Sequence, residues 1–295
     1  MRERSVEFMI FALCGGDERT VRLAGLLLAD GHGVRAWALE DAPLPEGVRR
    51  FESASECCAA ADCVVLPMPL SSRRGLLNAP YSPEPRCLME LFPAIEPDIP
   101  VLAGAVGESA RQLAEGSGLE LADYGALESF RAANSLATAE GTIGVLLRET
   151  ETVLCSRRAL IIGAGRISRA LAPRLAALGM RVTVASRGAD KRAWYAAMGF
   201  SVCDTGLIRA ALPAVDIVIN TAPALTLTAS RLTELGENAL VLDLASAPGG
   251  VDFDAARAFG IRAMSAPGLP GKWSPESAAA AVRDAIYAIL GDERF

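Results

Sequence analysis

The segment Ala159-Leu-Ile-Ile-Gly163-Ala-Gly165-Arg166-Ile167-Ser168 constrains this chain more than any other part of it. A short apolar run, two glycines one residue apart, and a helical pattern reaching about Leu178 before Gly179 stops it spell strand, tight turn and helix. The run Arg181-Val-Thr-Val-Ala-Ser186-Arg187 then supplies a second strand, completing a β-α-β unit within about 30 residues. Strands joined this way lie parallel, with helices covering the sheet. Gly163 allows the tight turn, and Gly165 lets the backbone approach a pyrophosphate whose charge meets the free N–H groups at the helix start. The third small position of the pattern holds Ser168 instead of glycine.

A carboxylate at the end of the second strand would read a ribose 2′-hydroxyl. Here Ser186 and Arg187 stand there, with Lys191 and Arg192 following, so the expected cofactor is NADP(H), with NAD as the alternative. Strand-like runs end at Asn220, Asp243 and Ser265, each before a loop of prolines, glycines and small polar residues. Ligands of open α/β sheets sit beyond such strand ends. The expected cofactor contacts are Gly163, Gly165, Arg166 and Ile167 at the turn, Ser186 and Arg187 at the ribose, and Asn220, Thr221, Ala222, Leu244, Ala245 and Pro267 toward the nicotinamide.

The chain has 295 residues, enough for about two domains. Residues 8–14 and 34–39 flank a helical stretch, so the first half opens with its own β-α-β unit. Its turn, Gly15-Gly16-Asp17-Glu18-Arg19, lacks the spacing that seats a pyrophosphate and suits a substrate instead. The expected fold is α/β, with two Rossmann-like lobes built on doubly wound parallel sheets. The divisions are 1–133 for the substrate lobe, 134–155 for a connecting helix, 156–273 for the cofactor lobe, and 274–295 for a C-terminal helix. That last helix starts with Ser274 as cap and Pro275 in its first turn, and is expected to return to the first lobe.

Composition removes other classes. The net charge of −6 divides into −10 over residues 1–155, +6 over 156–275 and −2 over the remainder, so only the cofactor lobe is basic. A local anionic ligand fits that pattern and nucleic acid does not. The longest apolar stretch, Phe8 to Cys14, is far short of a membrane span, and the N-terminus does not read as a signal peptide, so a cytoplasmic protein is expected. Seven cysteines without ligand spacing and a single histidine, His32, indicate neither a disulfide framework nor a metal site. His32, between Gly31 and Gly33, is expected on a surface turn.

Four motifs occur in order along the chain: Gly15-Gly16-Asp17-Glu18-Arg19, Thr138-Ala-Glu140-Gly-Thr142-Ile143, Leu242-Asp243-Leu-Ala-Ser-Ala-Pro-Gly-Gly250-Val-Asp252-Phe253 and Ala266-Pro267-Gly-Leu-Pro-Gly271-Lys272. Together they resemble the A-subunit family of bacterial dipicolinate synthases. The resemblance implies oxidation of a dihydrodipicolinate-type intermediate to pyridine-2,6-dicarboxylate with a nicotinamide cofactor. It also implies that the partner is the flavoprotein-like B-subunit of dipicolinate synthase, and that the chain works in the mother-cell cytoplasm during sporulation; a homo-oligomer is compatible with it. Another two-lobed NADP-linked dehydrogenase of the shikimate or alanine dehydrogenase kind, or a nucleotide-binding regulatory protein, is the alternative. For the reaction the resemblance implies, the proton acceptor is expected to be Glu140, then Asp243, with Lys272 as acid/base group or carboxylate ligand. Arg19, with Ser71, Thr138 and Thr142, is expected to hold the second carboxylate.

Overall fold

The computed structural model describes residues 8–73, 75–246 and 248–291. The chain packs as two compact units: the residues up to Asn134 together with those from Pro270 onward, and Ser135–Leu269.

In the first unit the strands are β1 (Ile10–Cys14), β2 (Gly33–Trp37), β3 (Arg49–Arg50), β4 (Cys63–Val65), β7 (Val101–Ala103) and β8 (Leu121–Asp123). They form one parallel sheet in the order β3-β2-β1-β4-β7-β8. A separate antiparallel hairpin joins β5 (Ser71–Arg73) to β6 (Leu76–Leu77). The second unit contains β9 (Arg158–Ile162), β10 (Arg181–Ala185), β11 (Ser201–Cys203), β12 (Ile217–Asn220), β13 (Leu240–Asp243) and β14 (Arg262–Ser265). Its order, β11-β10-β9-β12-β13-β14, repeats that of the first unit, all parallel. Both sheets reverse direction of winding beside their first strand, the arrangement that opens a crevice at the carboxyl ends of the first and fourth strands. The central strands read as unbroken apolar runs because helices bury both of their faces: every residue of β12 and β13 is buried.

Register brings the second unit's strand ends level. Ala185, Ile162, Asn220, Asp243 and Ser265 pair side by side across the sheet. Residues scattered over more than 100 positions of sequence thus share one rim.

The helix expected from residue 134 runs over Glu128–Glu149 instead, starting six residues earlier. Asn134 and Ser135 look like a start signal, but Phe130 inserts into the first unit's core against Tyr124, ring centroids 5.6 Å apart, and carries the helix upstream. The helix Pro275–Leu290 lays Ala279, Val282, Ala285, Ile286 and Tyr287 into that same core, beside Leu23, Ala24 and Leu27 of the helix Glu18–Ala29. Residues 270–273, read from sequence as part of the cofactor lobe, pack with the first unit; Leu269 is the last side chain in the second core. His32 is not on the surface: it is buried, its Nδ1 accepting from Met9 N at 3.3 Å, with Phe11 and Tyr287 rings against it. The glycines around it set the turn, and the apolar neighbours on β1 and the last helix pull the ring inward. Among the described residues no helix is long and apolar enough to cross a membrane.

Candidate functional site

In the second unit β9 is followed by Gly163, whose φ of +108° puts it in the region glycine favours. A Cβ at this position would lie 2.3 Å from Thr221 Oγ1, so the turn closes only on glycine. Gly165 caps the helix Arg166–Ala177 without a side-chain bond, and no atom lies within 4 Å of where its Cβ would point. The result is an uncapped helix N-terminus, with Arg166 and Ile167 in its first turn, behind a bare backbone approach; this fits a pyrophosphate. Ser168 is more than a small residue tolerated in a glycine's place. It is fully buried, donates to Gly163 O at 2.7 Å and lies 3.2 Å from Thr221 Oγ1, which donates to Ile162 O at 3.0 Å. Thr221, expected to face the nicotinamide, spends its hydroxyl on this latch. Ser168→Ala should loosen the turn by about 1 kcal/mol, seen as an equal loss in unfolding free energy and weaker dinucleotide binding in a titration.

At the rim, the buried Asp243 carboxylate accepts three hydrogen bonds. Oδ1 accepts from Asn220 Nδ2 at 2.8 Å and from Ala245 N at 3.1 Å, and Oδ2 accepts from Gly250 N at 2.8 Å. Asn220 also donates to Ala222 O at 2.9 Å and accepts from Ala222 N at 3.3 Å. A Cβ on Gly250 would fall 2.2 Å from Asn220 Nδ2, which explains why the Pro-Gly-Gly turn folds over this pair. Asp243, expected as a candidate base, is buried and accepts these three hydrogen bonds, an arrangement that clamps the strand ends. It fixes the ends of β12 and β13 and the loop carrying Leu244 and Ala245. Leu244 is buried and Pro267 exposed on the neighbouring loop.

At the end of β10, Ser186 is buried and Arg187 exposed. Arg192 Nη1 holds this bend, donating to Ser186 O at 2.5 Å and Arg187 O at 2.8 Å while pairing with Asp204 at 2.7 Å. The backbone is thus fixed by one arginine, and another, Arg187, is left exposed just beyond the end of β10. In the sequence Arg192 is legible only as a cation following Arg187; its partner Asp204 is not, because it lies beyond a whole helix and strand, with no local signal.

Glu140 is not brought to the strand ends. Its side chain is 61% exposed and lies 3.7 Å from Arg174, eight residues into the helix Arg166–Ala177 and about 12 Å along its axis from the turn. Thr142 is fully buried and donates to Thr138 O at 2.7 Å, a bond within its own helix. Thr138 is buried as well.

In the first unit the turn after β1 is occupied by protein. Gly15 N donates to Trp37 O and Gly16 N to Asn78 O, both at 2.8 Å, and a Gly15 Cβ would meet Leu77 at 2.8 Å. Asn78 covers the place a pyrophosphate would need, a residue no sequence signal pointed to. Asp17 caps the helix Glu18–Ala29 and holds Arg19, Nε to Oδ1 at 2.9 Å and Nη2 to Oδ2 at 2.8 Å; Nη2 also donates to Met68 O. Burial lowers the Arg19 pKa and the bonds to Asp17 raise it, the net shift being upward. The space beside this pair, about 10 Å³, is that of about one water. Arg19, expected to hold a carboxylate, is already paired with the acidic neighbour two residues before it. Ser71 donates to Leu76 O at 2.7 Å across the hairpin. Lys272 is corrected in place, since it belongs to this unit. A Cβ on Gly271 would come 3.1 Å from Arg19 Nε, so Gly271 sits against the Asp17–Arg19 pair and Lys272, exposed, follows it.

Residues 10–125 match the model of the N-terminal domain of the dipicolinate synthase A-subunit. That match falls within the first unit. Residues 146–245 match the NAD-binding domain of D-isomer specific 2-hydroxyacid dehydrogenases. The dipicolinate synthase A-subunit of Bacillus subtilis (strain 168) is 28% identical over 235 residues, 78% of each chain. The crystal structure of the dipicolinate synthase A-subunit from Bacillus halodurans superposes with a TM-score of 0.86 at 28% identity, covering 96% of this chain and 98% of that one. That of the Bacillus subtilis protein gives 0.85 at 25%, covering 99% and 98%. The chain is thus a nicotinamide-dependent oxidoreductase by its domains, similar throughout to dipicolinate synthase A-subunits, and both sheets agree with the expected two-lobed α/β fold.

Proposed function

We propose that this chain oxidises a dihydropyridine-2,6-dicarboxylate to pyridine-2,6-dicarboxylate with NADP as acceptor, beside a flavoprotein-like B-subunit in the mother-cell cytoplasm of a sporulating cell. The likeness to solved dipicolinate synthase A-subunits over nearly the whole length carries this reading. When bound, the nicotinamide accepts a hydride at C4, and the substrate ring loses a proton as it becomes aromatic. Gly163, Gly165 and the start of the helix Arg166–Ala177 hold the pyrophosphate, while Arg187 pairs with the 2′-phosphate through two N–H donors. The clamp of Asn220 and Asp243 keeps the nicotinamide loops in one position.

Substrate recognition falls to the first unit, where Lys272, an exposed cation one residue after the Gly271 that packs on the Asp17–Arg19 pair, binds one carboxylate. Of the three groups weighed as proton acceptor, Asp243 is closed by its donors and Glu140 lies on the flank by Arg174. Lys272 is exposed and adjoins Gly271 in the chain, so the ring proton passes to water near it, helped by the stability of the aromatic product.

Purified chain, with and without its B-subunit, is mixed with the dihydro substrate and each dinucleotide. NADPH should form in step with pyridine dicarboxylate absorbance; reduction of neither dinucleotide in either mixture would overturn the assignment. Lys272→Met should raise KM for the dicarboxylate at least tenfold at nearly constant kcat, whereas Glu140→Gln should leave both within about twofold.

A further inference from the structure

Three of the seven cysteines converge behind the substrate turn. Cys14 ends β1, and Cys57 and Cys58 end the short helix Ala54–Cys58; all three are buried. The sulfurs of Cys14 and Cys58 are 3.9 Å apart. A disulfide holds its sulfurs about 2.05 Å apart, so closing this pair takes a movement of roughly 2 Å. Arg35 clasps the end of the same helix, Nη2 donating to Glu56 O at 2.7 Å and Nη1 to Ala59 O.

The thiols are also unlike ordinary core cysteines. Burial pushes Cys63 up. At Cys58 the hydrogen bond from Cys14 lowers the pKa, burial raises it and the charge of Arg35 lowers it, leaving the thiol below its ordinary value. Cys14 moves the other way, well up, through its hydrogen bonds to Cys57 and Cys58 and its burial. One acidified sulfur faces one protonated sulfur.

We propose that Cys14 and Cys58 form a reversible oxidation site that a peroxide closes to a disulfide. The Cys58 thiolate attacks a peroxide oxygen; the O–O bond breaks, a sulfenic acid forms, and the departing hydroxide leaves as water with the thiol's proton. The sulfur of Cys14 then attacks the Cys58 sulfur, the S–O bond breaks, and a second water carries off the Cys14 proton. Two thiols have lost two electrons and two protons, and the peroxide is reduced to two waters. Because Cys14 immediately precedes Gly15 and Gly16, the shift is transmitted to the bonds those residues make to Trp37 and Asn78.

The test needs neither substrate nor cofactor. Native chain is titrated with hydrogen peroxide, free thiols are alkylated under denaturing conditions, and peptides are mapped by mass before and after dithiothreitol. The expected result is a linked pair of Cys14 and Cys58 peptides, two hydrogens lighter than the reduced pair and reversible by dithiothreitol. Amide exchange at Gly15 and Gly16 should rise at least tenfold in the linked form. The link should persist in Cys155→Ser, which alters an exposed cysteine far along the sequence. Finding Cys14 still alkylated once Cys58 is oxidised, a link from Cys14 to Cys57 instead, or unchanged exchange at the glycines overturns the proposal.

Discussion

Arg187→Asp should invert the dinucleotide preference, lowering the ratio of kcat/KM for NADP over NAD by about a hundredfold or more. The bend at Ser186–Arg187 is fixed by Arg192, whose Nη1 reaches both carbonyls and Asp204, so the substitution changes charge without moving backbone. Losing a bidentate pair to a phosphate forfeits about 2–3 kcal/mol, and each 1.4 kcal/mol is a factor of ten. A carboxylate in its place repels the 2′-phosphate and bonds the 2′-hydroxyl of NAD, so the loss on one side is joined by a gain on the other. Steady-state kinetics with both dinucleotides measures the ratio. An unchanged ratio would remove Arg187 from the site, and with it the assignment of NADP. Arg192→Met should narrow the same ratio more weakly, since it frees the bend but keeps the Arg187 charge.

Asp243→Ala should cost the fold about 3–5 kcal/mol, the largest loss expected from any single polar residue in the second unit. Three donors, Asn220 Nδ2, Ala245 N and Gly250 N, lose their acceptor at once in a site that is 1% exposed. Each buried donor left without a partner costs about 1–3 kcal/mol, and relaxation of the loop recovers part of the sum. Urea unfolding of the two proteins gives the difference. Asp243→Asn separates the clamp from a catalytic base. It retains one acceptor oxygen but turns an NH₂ toward a donor, so a clamp loses stability by a similar amount. A base would keep the wild-type urea midpoint and lose kcat alone.

These two residues show how differently sequence exposes a site. The position of Arg187 is legible because it is local: it stands two residues beyond the end of β10, and the glycine turn, helix and strand before it are encoded in consecutive residues. The same holds for Gly163, Gly165 and the strands themselves, whose burial on both faces writes them as continuous apolar runs. Asp243 stood at a readable strand end too, but its role depends on what meets it. Asn220 and Gly250 arrive there only because β12 and β13 pair in register and a glycine turn folds back, and neither event has a local signature.

The family resemblance and the two-lobed α/β fold, with its cofactor turn, were thus determined by the sequence alone, since short-range periodicity and glycine chemistry are sufficient for them. Tertiary structure alone decided which charges are free. Arg19 is spent on Asp17 and a carbonyl, Asp243 on three donors, and Glu140 lies on the flank by Arg174, while Lys272, one residue after Gly271, is exposed. The reason is that a charged side chain's availability is set by the partners that burial forces on it, and those come from distant segments of the chain.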